Sequence, residues 1–231
     1  PRQPSMSYMM DIGKEKNILT IVDNSYCTPI YQRPIELGID LSLQSATKYI
    51  GGHSDVVAGV LSGKKSLLKK IFDLEYLLAG NGIQAFNAWL LIRGLRTLPI
   101  RLEAIRKTTE EVIAFLKSKN EIEHLIFPFD ENFDQLELAK KQMSGACGLF
   151  TVVLRCQDLN KIERFCESLT TFKMAVSWGG HESLVIPRLA GITRSEFDPN
   201  KTEHRMVRFY IGLESSYYLC NDLEKALNFL N

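Results

Sequence analysis

Hydrophobic residues fall in two rhythms along this chain. Ile18-Leu19-Thr20-Ile21-Val22 is a short apolar run that stops at Asp23, the pattern of a buried parallel strand. Residues 39–43 form a second such run, ending near Ser45. Between them, 34–38 predicts one or two helical turns closed by Gly38. Polar groups just past strand ends are typical of α/β sheets, where ligands sit outside the carboxyl ends of the strands. From 64 to 79 the spacing turns helical, with Leu67, Leu68, Ile71, Leu74, Leu77 and Leu78 on one side. Asn81-Gly82 punctuates that helix. A long helical stretch follows from about 85 to 118. Gly94 and Pro99 interrupt it, which predicts a break or kink near 97–99.

The second half mixes strand patterns at 122–127, 149–155, 174–177 and 206–213 with helical ones at 158–169 and 221–230. There is no steady βαβ rhythm, so a smaller α+β domain is expected. The boundary is placed at the entry to the long helix, giving domains 1–86 and 87–231. No internal repeat or low-complexity segment is visible.

Bulk properties narrow the function. The chain has 231 residues and a net charge of +1, so no global field argues for nucleic acid or a membrane surface. No apolar run reaches membrane-spanning length. Five scattered cysteines have neither metal-ligand spacing nor a small-domain disulfide pattern, which points to a reducing cytoplasm. No metal is expected: His53/Asp55 and His181/Glu182 lack partners at ligand spacing. Cys27 reads as a packed residue rather than a nucleophile, with no His near it in sequence. Pro1 is not an initiator and the first residues are not a signal peptide, so the sequence is read as starting inside a longer protein.

The chemistry concentrates between Asp23 and Gly59. This stretch holds Asp23-Asn24-Ser25, Ser45-Ala46-Thr47-Lys48-Tyr49 and Gly51-Gly52-His53-Ser54-Asp55. A partly desolvated lysine can condense with an aldehyde. A carboxylate beside a pyridine nitrogen keeps it protonated, so that the ring becomes an electron sink. Hydroxyls at a strand end can hold a phosphate, and glycines let the backbone pass close to a ring. Taken singly, the lysine reads as a surface residue, the aspartate as a helix cap and the hydroxyls as loop partners.

Together these residues resemble the Cys/Met-metabolism family of pyridoxal-phosphate (PLP) enzymes. The likeness runs through Pro34-Ile35-Glu36-Leu37-Gly38-Ile39-Asp40, the Lys48 motif, Arg93-Gly94-Leu95-Arg96-Thr97-Leu98, Ser144-Gly145, Ser177-Trp178-Gly179-Gly180-His181-Glu182-Ser183-Leu184 and the stretch 208–214. It implies a type I, aspartate-aminotransferase-like α/β fold, with part of the large cofactor domain and a smaller α+β domain. It implies that Lys48 holds PLP covalently and shuttles protons, and that Asp23 pairs with the ring nitrogen. Ser45 and Thr47 would contact the phosphate, Ser25 would lie beside the ring, and Arg208, helped by Ser177, would clamp the substrate α-carboxylate. Without the resemblance, Arg208 is a charge in an apolar strand and Ser177 a strand-end hydroxyl. The family's upstream phosphate loop and ring-stacking tyrosine are absent from this sequence. Pro1-Arg2-Gln3-Pro4 resembles the family's Pro-x-Asn-Pro with Gln3 in the asparagine's place. The segment from Asp11 to Asp23 is short for a full crossover helix.

Ser177-Trp178-Gly179-Gly180 is similar to one type of cystathionine β-lyase, whereas Tyr26-Cys27-Thr28-Pro29 is closer to the γ-lyase and γ-synthase branches. Trp178 reads equally as core or as a substrate neighbour. The expected activity is β-elimination of cystathionine. The alternatives are γ-elimination, γ-replacement on an activated homoserine, or a truncated remnant without catalysis. The resemblance also implies a homo-oligomer, a dimer of dimers.

Overall fold

The computed structural model describes residues 5–231; Pro1–Pro4, with the Gln3 substitution, lie outside the described residues. The chain divides into two compact units, 5–99 with Asp134–Ala146, and Ile100–Phe133 with Cys147–Asn231. The sequence places 134–146 in the second domain; the structure returns that segment to the first unit.

In the first unit, helix α1 (Met6–Lys16) starts at Ser5, whose hydroxyl accepts from the Tyr8 amide, and stops at Asn17 in the left-handed conformation. The chain passes directly into β1 (Ile21–Asp23), then α2 (Thr28–Tyr31) and β2 (Leu41–Ser45). The turn at 34–38 closes on Gly38, with φ of 93°. Strand β3 (Gly59–Gly63) follows, pairing antiparallel to β2, while β1 lies parallel to β2. The sheet order is β1-β2-β3.

The first strand differs from expectation. It is parallel but exposed: Ile18, Leu19 and Ile21 are all about 60% accessible. The cause is its edge position, with no further strand beside it among the described residues. The predicted helix at 64–79 is present as α3 (Lys65–Ile71), a π-helical turn (Phe72–Tyr76) and α4 (Leu77–Ala79). Its apolar side stays open, with Leu74, Leu77 and Leu78 exposed.

The long helix α5 (Ala85–Lys117) is uninterrupted, with Pro99 inside it. Proline costs the helix one N–H. The Thr97 hydroxyl donates to the Gly94 carbonyl at 3.1 Å. Leu98, Leu102 and Ile105, on one side around the proline, are almost completely buried. Burial of that stripe outweighs the local breaker. Helix α6 (Leu136–Gln142) belongs to the first unit. The Gln32 side chain donates to the Gln142 carbonyl, and the Ser144 amide to the Tyr31 carbonyl. A Cβ on Gly145 would stand 2.8 Å from the Tyr31 ring.

The second unit is built on a five-stranded sheet, order β4-β5-β8-β7-β6. It comprises β4 (Ile122–Ile126), β5 (Leu149–Leu154), β6 (Lys173–Met174), β7 (Leu184–Pro187) and β8 (Met206–Tyr210). All pairs are antiparallel except β6 with β7. Phe150, Phe172 and Phe209 meet in the core, with ring centroids 5.6 and 5.2 Å apart. Helix α7 (Leu159–Ser168), capped by Asp158, adds Ile162 and Phe165; helix α8 (Ser216–Leu227) adds Leu219 and Leu223. The sequence pattern missed the short β7 and began the last helix too late.

One buried carboxylate fastens α8 to the chain before β6. Asp222 accepts from the amides of Thr170, Thr171 and Phe172 and from the Thr170 hydroxyl, at 2.7–3.3 Å. Burial pushes its pKa up, but the hydrogen bonds outweigh that and hold it below the ordinary 3.8. A lowered folded-state pKa stabilises the fold above the unfolded value, and this is lost as pH falls through the folded value. Asp222→Asn should therefore lower stability at neutral pH by about 1–3 kcal/mol. It should also flatten the loss of stability on acidification below the ordinary carboxylate range. Urea unfolding at stepped pH measures both.

Candidate active site

Strand β1 ends at Asp23, opposite Leu43, and β2 continues to Ser45. Two hydroxyl clamps hold the pair. At its start, Asp40 accepts from the amide and hydroxyl of Thr20, and the Thr20 hydroxyl accepts from the Asp40 amide. These bonds hold the Asp40 carboxyl below its usual pKa. At its end, the Ser25 hydroxyl donates to Asp23 Oδ1 at 2.6 Å and accepts from the Ser45 amide at 2.6 Å. The Ser25 amide also donates to Asp23 Oδ1, at 2.9 Å. Asp23 is thus exposed at a strand end with one oxygen fixed, while Oδ2 takes no hydrogen bond among the described residues.

Lys48 stands on a tight turn after β2 and is half-buried. Its amide donates to the Ser45 carbonyl, and its carbonyl accepts from Gly52, which has φ of 70°. The turn is held from beneath by Ala46, Ile50 and Val56 packed on Leu91 of α5. Gly94 makes that packing feasible: a Cβ there would stand 2.4 Å from the Ile50 carbonyl oxygen and 2.5 Å from that of Gly51. Sequence reasoning read Gly94 as an interruption of the helix and as part of the family likeness, and missed its contact with the Lys48 turn; the signal was a glycine inside a helical pattern. The Thr47 hydroxyl is engaged both ways with Ala58, donating to its carbonyl and accepting from its amide. A phosphate contact from Thr47 would take that donated hydrogen from Ala58.

Asp23, Ser25, Ser45, Thr47 and Lys48 therefore lie in the first unit, at one end of its sheet. Ser177, Trp178 and Arg208 lie in the second. Arg208, on β8 opposite Thr151 and Ile186, donates to the Val176 carbonyl. It borders an open, mostly apolar cavity of about 410 Å³ together with Thr151, Val176, Ile186 and Met206. Partial burial lowers its pKa from the ordinary guanidinium value, and it remains a cation at neutral pH. Ser177 is exposed and Trp178 half-buried. No group of three or more His, Cys, Asp or Glu among the described residues is placed to hold a metal ion.

The sequence profile of the family described as "Cys/Met metabolism PLP-dependent enzyme" matches residues 3–228. The cystathionine β-lyase of Coxiella burnetii is 36% identical over 230 residues, spanning 96% of this chain and 58% of that protein. The L-methionine γ-lyase of Porphyromonas gingivalis is also 36% identical, over 100% of this chain and 60% of its own length. The cystathionine γ-lyase of Bacillus subtilis is 34% identical, over 96% and 59%. The crystal structure of cystathionine γ-lyase from Lactobacillus plantarum, complexed with L-serine, superposes with a TM-score of 0.88 at 29% identity. It covers 99% of this chain and 61% of that one. The chain belongs to the Cys/Met metabolism family of PLP-dependent enzymes, and it spans about three fifths of the length of these relatives.

The donor set fits that cofactor. Asp23, with one oxygen open, Ser45 and, on the turn that follows, Lys48 stand at the carboxyl ends of two parallel strands, the usual ligand position in such sheets. Gly94→Ala should push the Lys48 turn off its helix. The expected cost is about 1–3 kcal/mol of stability, read as a lower urea midpoint, together with weaker retention of PLP absorbance on dialysis.

Proposed function

We propose that the whole protein is a PLP-dependent carbon–sulfur lyase of sulfur amino-acid metabolism, converting cystathionine to homocysteine, pyruvate and ammonia by β-elimination. The observation that carries the reading is the Asp23–Ser25–Ser45 hydrogen-bond chain beside the Lys48 turn. Relatives named for C–S lyase reactions support the reaction class.

Each residue has a role in this reading. Lys48 Nζ holds the cofactor, then as a free amine takes the proton from the substrate Cα and returns one to the leaving sulfur. Asp23 Oδ2 accepts the pyridinium N–H, with Oδ1 kept in place by Ser25. Ser45 and Thr47 hold the phosphate. Arg208, with Ser177, grips the α-carboxylate through its planar fork of donors. When bound, PLP supplies an electron sink next to Cα.

The γ-lyase reading is carried by the similar identity of the γ-lyase relatives. The two reactions differ in product: β-elimination gives pyruvate, γ-elimination 2-oxobutyrate.

Among the described residues no helix is long and apolar enough to cross a membrane. We take the setting to be cytoplasmic, in keeping with free thiols at all five cysteines. We also take the protein to be a homo-oligomer, a dimer of dimers. Phe86, Trp89, Ile92 and Leu95 along the first half of α5 are exposed, and apolar surface on this scale is typical of an interface. Light scattering should give a multiple of the chain mass.

The primary test is absorbance with added PLP, followed by product analysis with cystathionine. A yellow band that follows the protein, is lost in Lys48→Ala and accompanies pyruvate release is expected. Turnover in Lys48→Ala should fall at least about a hundredfold. Undiminished release of pyruvate by that variant would sink the assignment, and 2-oxobutyrate from the parent would favour the γ reading.

A further inference from the structure

Strand β8 turns Met206, Arg208 and Tyr210 to one face of its sheet and Val207 and Phe209 to the other. Arg208 donates to the Val176 carbonyl, and the Tyr210 hydroxyl donates to the Gly180 carbonyl at 2.7 Å. Those two carbonyls bracket Ser177-Trp178-Gly179. Side chains two residues apart on one strand thus grip both ends of a five-residue segment. The segment bends at Gly179, whose φ of 87° favours glycine.

Tyr210 is a rigid anchor for this grip. It is 1% exposed. Burial pushes its phenol pKa well above the ordinary 10, so the hydroxyl keeps its proton and stays a donor. The chain beyond Gly180 is tied to the end of the same strand. The Leu213 amide donates to the His181 carbonyl, and Glu214 accepts from the amide and hydroxyl of Ser183.

We propose that Tyr210 is a positioning residue for substrate carboxylate recognition: its bond to Gly180 holds Ser177 and Trp178 beside Arg208. The proposal rests on the reading of Arg208 and Ser177 as the carboxylate-binding pair. The two grips differ in kind. Arg208 holds a neutral carbonyl, and a substrate carboxylate offers it shorter, stronger, charge-assisted bonds, so Arg208 exchanges the Val176 carbonyl for substrate. Tyr210 is buried, closed to solvent. It keeps its end of the segment fixed through the exchange, so Ser177 does not drift as Arg208 changes partner.

The test uses the full-length holoenzyme with every tryptophan except Trp178 replaced by phenylalanine. In that background Tyr210→Phe removes one oxygen and keeps the buried ring. Trp178 emission should shift to the red. The KM for cystathionine should rise about tenfold while kcat stays within about twofold. The melting temperature should change little. Unchanged emission and KM in Tyr210→Phe, with Arg208→Gln raising KM, would overturn the positioning role. So would a fall in melting temperature and kcat at constant KM, which marks a purely structural residue. Arg208→Gln with parental KM would instead overturn the carboxylate reading on which the role rests. Should Tyr210→Phe fail to fold, Gly179→Ala strains the same segment from its own backbone and should produce the same two changes; parental values there would also sink the proposal.

Discussion

One hydroxyl, the Oγ of Ser25, joins the carboxyl ends of two parallel strands, donating to Asp23 and accepting from the Ser45 amide. The end of the first unit that carries Asp23 and Ser45 is held by it. A three-residue strand at a sheet edge has few ladder bonds to hold its register. The Ser25 link and the Thr20–Asp40 clamp supply what the short ladder lacks, one at each end. Their effect reaches the chemistry. The same bond that sets the register fixes one oxygen of Asp23 and so orients the other. A carboxylate so hydrogen-bonded keeps its direction although Asp23 itself is exposed.

The Lys48 turn obeys a second constraint, one of space. Its carbonyls at Ile50 and Gly51 lie where a helix residue with a side chain would sit, so α5 presents Gly94. Glycine in a helix interior is unfavourable by roughly 0.5–1 kcal/mol relative to alanine. Here that cost is offset by the burial of Ala46, Ile50 and Val56 against Leu91. The packing fixes the backbone from which the half-buried Lys48 side chain extends.

In the second unit the period of two along β8 separates the phenylalanine core from the face that carries Arg208. Val207 and Phe209 join Phe150 and Phe172 in the core, while Arg208 and Tyr210 on the opposite face reach the Val176–Gly180 carbonyls. A shift of one residue in the pairing with β5 or β7 would exchange the two sets. The registers Arg208↔Thr151 and Arg208↔Ile186 are thus what keeps a guanidinium out of the core.

By itself the sequence named the family, the candidate reactive groups and the order of most of the main elements. Apolar runs stopping at Asp23 and Ser45 place those residues at strand ends, and the Lys48 motif names its family, because these signals are local and chemical. What the tertiary structure decided is non-local. Strands β3 and β7, each marked by glycine or proline, exist only because β2 and β8 offer them edges to pair with. Helix α5 runs through Pro99 because burial on both sides of it outweighs one lost hydrogen bond. The return of 134–146 to the first unit depends on the fit of Gly145 against Tyr31. The Thr47 hydroxyl pairs with Ala58, and Tyr210, an apolar strand position by pattern, carries a directed hydroxyl. Periodicity records which face a side chain takes; only packing decides which atom it meets there.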